Sequence, residues 1–377
     1  MAEPSFSIGV EEEYFLVDPA SRDAVAEPPP GLMAEARREL GGERASPELL
    51  RSQIEIQTPV CHDLATVRAE LAGARRAVAG VAARHGCAVI AASTHPLAEW
   101  GDQKSTPKER YAAIARDLQA VGRRLVICGM HVHVAVEDDE LRIDLMNQAS
   151  YFLPHLLALS TSSPFWRGRD TGLKSYRVSV FREIPRTGLP DRFESWGEYQ
   201  RRCDLLVRAG LIEDPTKLWW DLRPSFRFPT LEMRIADICT RLDDAIAVAA
   251  LWRCLVRMLW RLKRENMRWR IYPRMLIDEN RWRAQRYGLD EGLVDFGKGR
   301  VVPYAELLDE LLDLVAEDAA HFGCTAEVGH ARVILARGTS AHDQLAVWNA
   351  ARADGAGDHE ALAAVVDRLI LRTTEGV

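Results

Sequence analysis

Residues 7–18 read SIGVEEEYFLVD, and this stretch carries the strongest signal for the fold. Its composition favours a β-strand, in which successive side chains point to opposite faces of a sheet. The alternation places Glu12 on the face that carries the apolar residues, whereas Glu11 and Glu13 share the opposite face. Two carboxylates therefore lie side by side on one face of the expected strand.

Neighbouring carboxylates on one strand face repel each other, and two explanations compete. An edge strand uses charged residues to discourage aggregation, and such a strand needs no further role. Alternatively, a cation bound between Glu11 and Glu13 would offset the repulsion. The second explanation predicts further ligands on neighbouring strands, and it leaves Glu12 to pair with a base behind the sheet.

The composition is that of an ordinary globular protein without a basic surface for nucleic acid. The chain has 377 residues and a formal net charge of −6. Its seven cysteines show no CxxC spacing, which favours reduced thiols and a cytoplasmic location. Residues 1–4 lack the parts of a signal peptide, and the longest apolar run contains Arg253 and Arg257, so we expect no membrane span.

Strand-like and helix-like segments alternate over the first two-thirds of the chain, and the last third is helical. Beyond the opening stretch, strands are expected at 51–58, 87–93, 125–137, 175–181, 219–222 and 230–237. Helices are expected at 63–84, 108–119, about 138–160, 242–265, 274–286, 304–318, 326–337, 341–353 and 360–371. The pattern predicts one α+β domain over 1–377, with a sheet-bearing part at about 6–240 and a helical part at about 241–377.

Four of the expected strands carry charged or imidazole side chains opposite their apolar residues. These side chains are Glu11 and Glu13, Glu55, His131 and His133, and Glu232 and Arg234. Their recurrence indicates a sheet with an active site on one face. Several carboxylates with one or two histidines suit Mg²⁺ or Mn²⁺ better than a structural Zn²⁺. Mg²⁺ held in this way commonly binds the phosphates of ATP.

The sequence lacks the glycine-rich loops with which many proteins bind phosphate, namely GxxxxGK[ST] and a GxGxxG that opens a helix. If ATP binds, metal ions and arginines must contact its phosphates. Arg234 and Arg177 are the candidates, because a guanidinium fork suits phosphate and carboxylate oxygens. The HxH pair leaves a different enzyme class open, a transition-metal hydrolase or oxygenase centred on His131 and His133.

An ordered series of motifs resembles the glutamate–cysteine ligase superfamily, in particular its bacterial carboxylate–amine ligase branch, called glutamate–cysteine ligase 2 or YbdK-like. The matching segments are GVEEE (9–13), QIEIQTP (53–59), CGMHVHV (128–134), LLALS (156–160), SPFW (163–166), GRDTG (168–172), WWDLRP (219–224) and TLEMR (230–234). Each motif alone is loose, but their order and spacing over about residues 6–240 are specific.

The resemblance implies a curved, largely antiparallel sheet flanked by helices, similar to glutamine synthetase, with the active site on the concave face. It also implies a reaction in which ATP phosphorylates the γ-carboxylate of glutamate and an amine such as cysteine attacks the acyl phosphate. ATP and Mg²⁺ or Mn²⁺ are the implied cofactors. The implied metal ligands are Glu11, Glu13, Glu55, His131 and Glu232; His131, Arg177 and Arg234 would bind the nucleotide, and both arginines would stabilise the transferring phosphoryl group.

The resemblance further implies small-molecule substrates and, at the level of the family, a homodimer, although the sequence leaves the oligomeric state open; the composition excludes nucleic acid and a membrane as expected partners. The identity of the amine is left open, because its pocket is built from loops. The role of His133 is equally open, since the classical ligases do not keep a histidine at that place. A third hypothesis is a non-catalytic protein that keeps the site to bind ATP or glutamate, which predicts nucleotide binding without turnover.

Overall fold

The computed structural model of the chain describes residues 2–377. Its strands are β1 (Ile8–Val17), β2 (Ala45–Pro47), β3 (Gln53–Gln57), β4 (Ala88–Ile90), β5 (Met130–Ala135), β6 (Phe165–Trp166), β7 (Arg169–Asp170), β8 (Thr187–Gly188), β9 (Trp219–Trp220), β10 (Leu222–Pro224), β11 (Thr230–Met233), β12 (Leu293–Asp295) and β13 (Arg300–Val302). Its α-helices are α1 (Leu32–Leu40), α2 (Leu64–Arg84), α3 (Glu109–Arg123), α4 (Asp139–Ala149), α5 (Leu153–Ser160), α6 (Tyr176–Phe181), α7 (Trp196–Arg208), α8 (Leu242–Arg264), α9 (Arg274–Tyr287), α10 (Tyr304–His321), α11 (Thr325–Gly329), α12 (Ala331–Arg337), α13 (Ser340–Ala353) and α14 (Asp358–Thr373).

A seven-stranded antiparallel sheet forms the centre of the molecule. Six strands follow the order β10-β11-β5-β1-β3-β2, and β4 pairs with the end of β1. The opening strand β1 therefore lies in the interior, bonded to β3 on one side and to β5 on the other. Because β1 is a central strand, the edge-strand explanation for its adjacent carboxylates is wrong.

The two faces of β1 differ as the alternation predicts. The apolar residues from Ile8 to Tyr14 and Glu12 between them are buried, whereas Glu11 and Glu13 are partly exposed. We call the side that carries Glu11 and Glu13 the front face of the sheet. On the back face, Arg75 of α2 lies 2.5 and 2.9 Å from the two carboxylate oxygens of Glu12, which confirms a base behind the sheet.

Helices pack around α8 to form the larger part of the core. Every residue of α8 from Asp244 to Trp260 is buried, as expected of a helix that is apolar on nearly all sides. It contacts β5 and the helices α2, α4, α5, α10 and α11. These contacts between sheet and helical layer support our proposal that the sheet-bearing and helical parts form one domain.

The expected α+β class with an antiparallel sheet and a helical C-terminal part is confirmed. The strand expected at 175–181 is wrong, because Tyr176–Phe181 form the short helix α6. The backbone N–H groups of Tyr176 and Arg177 donate to the carbonyl and hydroxyl oxygens of Ser163, so tertiary hydrogen bonds override the β-propensity of this valine-rich segment. The strand expected at 125–137 is shorter, with sheet pairing from Met130 to Ala135.

The cysteines are buried, as the composition led us to expect. All seven cysteines are buried and free in the described part of the chain. They therefore behave as small apolar side chains, as expected. Among residues 2–377, none of the helices combines the length and the apolar character that crossing a membrane requires.

Candidate active site

Three cross-strand pairs on the front face bring together residues that the sequence motifs single out. The pairs are Glu13 with Glu55, Glu11 with His131, and Glu232 with His133. Directly opposed residues on adjacent strands project from the same face, with Cβ atoms about 4.5–5.5 Å apart. The polar residues of β11, β5, β1 and β3 therefore form one contiguous surface.

A cavity of about 560 Å³ covers this surface. Its acidic lining residues are Glu11, Glu13, Glu43, Glu48, Glu55 and Glu232, and its basic lining residues are Arg37, Lys108, Arg110, Arg177, Arg223, Arg227 and Arg234. The volume lies in the range of small-molecule and cofactor sites. Carboxylates that can hold cations and bases that can hold anions thus share one cavity.

Glu13, Glu48 and Glu55 form a tight group of carboxylates in this cavity. One oxygen of each lies within 4.8 Å of the others. Burial, together with neighbouring carboxylates, raises the pKa of Glu48 to about 7 and the pKa of Glu55 well above its ordinary value. A divalent cation would stabilise the ionised form of all three, so the group fits oxygen-preferring Mg²⁺ or Mn²⁺.

Glu11 faces two histidines of β5. One of its oxygens lies 3.2 Å from Nδ1 of His131, and the other lies 3.6 Å from Nε2 of His133. Burial alone would raise the pKa of Glu11, but hydrogen bonds from both imidazoles lower it below its ordinary value. Burial and the charge of Arg234 lower the pKa of His131. Although burial opposes it, the charge of Glu232 raises the pKa of His133.

Glu232 is held by two arginines. Nε and Nη2 of Arg223 lie 2.8 and 3.1 Å from its two oxygens, and Arg234 donates to the same carboxylate. Burial opposes ionisation, yet the charges of Arg234 and Arg223 lower the pKa of Glu232 well below its ordinary value. Nη1 of Arg234 also lies 3.3 Å from Nδ1 of His131. Arg234 therefore connects the Glu232 carboxylate to the imidazole that faces Glu11.

Arg177 enters the cavity from α6 and not from a strand. Its guanidinium donates to the backbone carbonyls of Ile235 and Arg234 at 3.2 and 3.1 Å. It also fills the space above Gly129, where a Cβ atom would come within 2.4 Å of Nη2. Burial lowers the pKa of Arg177. The buried guanidinium therefore depends on the absence of a side chain at position 129.

Asp237 holds in place the start of helix α6, from which the side chain of Arg177 extends. This buried carboxylate accepts hydrogen bonds from the backbone N–H of Ser162 and from the hydroxyls of Ser163 and Ser175, at 2.9, 2.7 and 2.8 Å. The hydroxyl of Ser163 in turn accepts the N–H of Arg177 at 3.1 Å. Asp237 thus couples the segment that follows β11 to the start of α6.

The structure places all the predicted site residues around one cavity but divides them into separate groups. Glu13 and Glu55 meet in the carboxylate group, Glu11 and His131 lie beside it, and Glu232 and Arg234 pair with each other. In the described chain no histidine joins a cluster of three potential metal ligands. The tight group consists of carboxylate oxygens alone, with His131 beside it, and such a donor set favours Mg²⁺ or Mn²⁺ over the transition-metal centre that the HxH pair left open.

Two residues of the site are missing from the sequence-based set. Glu48 lies in the connection between β2 and β3, and no periodic pattern marks it in the sequence, because β2 has only three residues. Arg223 lies directly opposite Glu232 in the β10–β11 pair. The strand expected at 219–222 ends where β10 begins, so the sequence did not place Arg223 in the sheet.

The sequence matches one family over nearly its whole length. The profile of the Glutamate-cysteine ligase family 2 matches residues 7–367. A relative from Rhodospirillum rubrum, named "Putative glutamate–cysteine ligase 2", is 65% identical over 376 residues, which cover 99% of this chain and 97% of the relative. A relative of the same name from Jannaschia sp. is 53% identical over 97% of this chain and 96% of its own length.

Solved structures with little sequence identity share the fold. A glutamate–cysteine ligase from Francisella tularensis in complex with AMP superposes with a TM-score of 0.68 at 12% identity, over 98% of this chain and 89% of that one. A bifunctional glutathione synthetase from Pasteurella multocida gives the same TM-score at 16% identity, and this chain covers 53% of it. Because a family profile and close relatives match along the chain, it belongs to the glutamate–cysteine ligase family 2 and is an ATP-dependent carboxylate–amine ligase.

Proposed function

We propose that the enzyme joins the γ-carboxylate of glutamate to an amine through a glutamyl phosphate. A γ-carboxylate oxygen attacks the terminal phosphorus of ATP, and ADP leaves. The amine nitrogen then attacks the acyl carbon, phosphate leaves, and the amine loses a proton. The observation that carries this proposal is the shared cavity, in which a group of carboxylates and several arginines lie on the same sheet face. Two anionic substrates can meet only where cations offset their charges.

Glu13, Glu48 and Glu55 would hold a Mg²⁺ or Mn²⁺ ion at the front face. The proposal is supported by the three oxygens within 4.8 Å of one another and by the raised pKa values of Glu48 and Glu55. When bound, such an ion neutralises phosphate charge during phosphoryl transfer. Glu11 and His131 lie next to this group and would complete the ligand set.

Arg177 and Arg234 are the residues that we propose to bind the nucleotide phosphates and the transferring phosphoryl group, with His131 beside them. Arg177 is buried and the Arg234 side chain is 12% exposed at the cavity wall, where a charge-assisted hydrogen bond is stronger than in water. Glu232 already binds Arg223 and Arg234. It could ligate a metal only by exchanging one of these arginines, so in our proposal its first role is to orient them.

The reaction is tested with ATP, Mg²⁺ and glutamate labelled with ¹⁸O in its γ-carboxylate, together with a panel of amines. We expect a γ-glutamyl amide, ADP, and one ¹⁸O atom in the released phosphate, because that oxygen bridges carbon and phosphorus in the glutamyl phosphate. Amide formation without transfer of the label would contradict the acyl phosphate. Nucleotide binding without turnover of any amine would instead support the non-catalytic hypothesis. A cytoplasmic location and a homodimer stay predictions from the sequence.

A further inference from the structure

The front face becomes apolar in the segment that precedes the histidines of β5. Leu125 and Ile127 continue the alternation of Gly129 and His131 along the chain, so their side chains face the cavity. Both keep a small exposed fraction, 8% and 9%, whereas the intervening Val126 retains only 1% on the opposite side. The cavity floor therefore passes from imidazoles and carboxylates to hydrocarbon within one extended segment.

Two helices close the cavity above this floor. Ile114 and Leu118 of α3 line it from one side, and Phe181 and Ile184 at the end of α6 line it from another. Ile114 and Leu118 lie four residues apart, so they share one face of α3. We call the part of the cavity lined by these apolar side chains the apolar end; it consists of Ile114, Leu118, Leu125, Ile127, Phe181 and Ile184.

The apolar end begins next to the proposed phosphoryl-binding arginine. The guanidinium of Arg177 lies 5.7 Å from the ring centre of Phe181 and against Gly129, which precedes His131 by two residues. Four residues of extended chain, from Ile127 to His131, span about 13 Å. A group bound in the apolar end would therefore lie within the length of one small substrate from the proposed site of phosphoryl transfer.

The opposite end of the cavity is different. The β10–β11 hairpin contributes Phe226 and Phe228, which are 57% and 54% exposed, and Arg227 between them. Cations and open aromatic faces suit a nucleotide, whereas the six side chains of the apolar end are hydrocarbon and cannot pair with phosphate. The two ends therefore favour different substrates of the same reaction.

We propose that the apolar end binds the hydrocarbon group of the amine acceptor, and that the acceptor carries a branched or aromatic side chain. This inference rests on the proposed ligase reaction, in which the third substrate is an amine. A cysteine side chain would leave most of this lining without contact. In an apolar pocket each added methylene changes kcat/KM by about 10-fold or more, so the lining selects the larger amine.

Two sources could supply this chemistry, an apolar amino acid or a plain amine. Lys108 and Arg110, at the start of α3, also line the cavity, and their side chains donate only to neutral oxygens, the Pro47 carbonyl at 3.3 Å and the Thr216 hydroxyl at 3.4 Å. They would pair with the α-carboxylate of an amino acid. A plain amine of the same shape would not need them.

The test measures kcat/KM of the wild-type enzyme with ATP, Mg²⁺ and glutamate for cysteine, 2-aminobutyrate, leucine and phenylalanine, and for isoamylamine and phenethylamine. We expect leucine or phenylalanine, or the matching plain amine, to exceed 2-aminobutyrate by about 10-fold or more. Equal or higher values for cysteine and 2-aminobutyrate would overturn the inference and leave the ligase reaction standing. If no acceptor supports ADP release, the proposed function fails, and the inference with it.

Variants of the apolar end test whether its side chains determine which amine the enzyme prefers. Leu118→Trp is expected to fill the space and to lower the ratio of kcat/KM for the preferred large amine to kcat/KM for 2-aminobutyrate by about 10-fold or more. Ile114→Ala should raise the KM of the large amine and keeps the assay usable if the tryptophan variant does not fold. Leu211→Ala, at an exposed leucine outside the cavity, is the matched control. An unchanged acceptor preference in both cavity variants would overturn the inference.

Discussion

The two faces of β1 carry glutamates of opposite kinds, although these residues are consecutive in the chain. On the back face, Glu12 is fully buried and paired with Arg75, and the hydroxyl of Tyr14 donates to the same carboxylate. On the front face, Glu13 belongs to a group of three neighbouring carboxylates, and burial together with this crowding raises the pKa of Glu48 and Glu55. Where the protein supplies the counter-charge, the glutamate stabilises the fold; where it does not, the site is suited to a cation from outside.

Arg75→Met breaks the back-face pair and should have the largest effect. It leaves the Glu12 carboxylate buried without its partner, which typically costs about 3–5 kcal/mol of the free energy of unfolding. Arg75 also donates to the backbone carbonyls of Thr240 and Cys239, so the connection into α8 loses support. Urea unfolding measures the change, and Arg76→Met, at the exposed neighbour on α2, should stay within about 0.5 kcal/mol. Equal stability of both variants would contradict the back-face account.

Glu55→Gln changes the front face. In contrast to Arg75→Met, it should lower ATP turnover and not the free energy of unfolding. We expect ATP turnover to fall by about 10²–10³-fold, because the cation loses a ligand at the point where charge develops. The free energy of unfolding should stay unchanged or rise, since one of three mutually repelling carboxylates becomes neutral. Steady-state ADP release and urea unfolding check both parts, with Glu360→Gln on the exposed side of α14 as control. Unchanged turnover would remove Glu55 from the site.

Gly129→Ala tests whether the front face depends on the position of one arginine. The added methyl group would come within 2.4 Å of Nη2 of Arg177, so the guanidinium must move. We expect kcat to fall by about 10–100-fold, since small displacements of a positioned group reduce rates by such factors. Gly73→Ala in α2, where no atom lies within 4 Å of the added Cβ, is the control. Wild-type kcat in the Gly129 variant would show that Arg177 is not needed where it lies.

The last difference between the two faces concerns the pH dependence of the free energy of unfolding. We expect this dependence to come from the front face, and it is the smallest of these effects. Without metal, the pKa of Glu48 is raised from 4.5 to about 7 in the folded chain. Folding therefore retains a proton that the unfolded chain releases, so the free energy of unfolding falls as pH rises from about 4.5 to about 7. Urea unfolding in EDTA at pH 5 and pH 8 measures the slope. Glu48→Gln should reduce the slope, and an identical slope in this variant would contradict the assignment.

Much of the fold follows from the sequence, because it rests on periodic patterns. The alternation in β1 separated Glu12 from Glu11 and Glu13, and the long apolar helix α8 was placed within one residue of its end. The fold class and the front-face strands β1, β3, β5 and β11 are local signals of this kind. Their pairing into one sheet then follows from the shared face of polar residues.

The features that the sequence patterns did not predict depend on tertiary contacts. The segment 175–181 has a strand-like alternation, but hydrogen bonds to Ser163 from elsewhere in the chain hold it as α6. Glu48 lies in a turn without periodicity, and the three-residue strand β2 that positions it is too short to be recognised. The pairing of Glu232 with Arg223 follows from register, which the two segments do not specify by themselves.

The most direct test of the account is a titration of the wild-type enzyme and Glu55→Gln with Mn²⁺, followed by electron paramagnetic resonance of the free ion. We predict that the wild type binds Mn²⁺ in the presence of a non-hydrolysable ATP analogue and that Glu55→Gln binds it about 10-fold more weakly or worse, with Glu360→Gln equal to the wild type. Equal affinity in all three proteins would contradict the claim that the front-face carboxylates hold the cation.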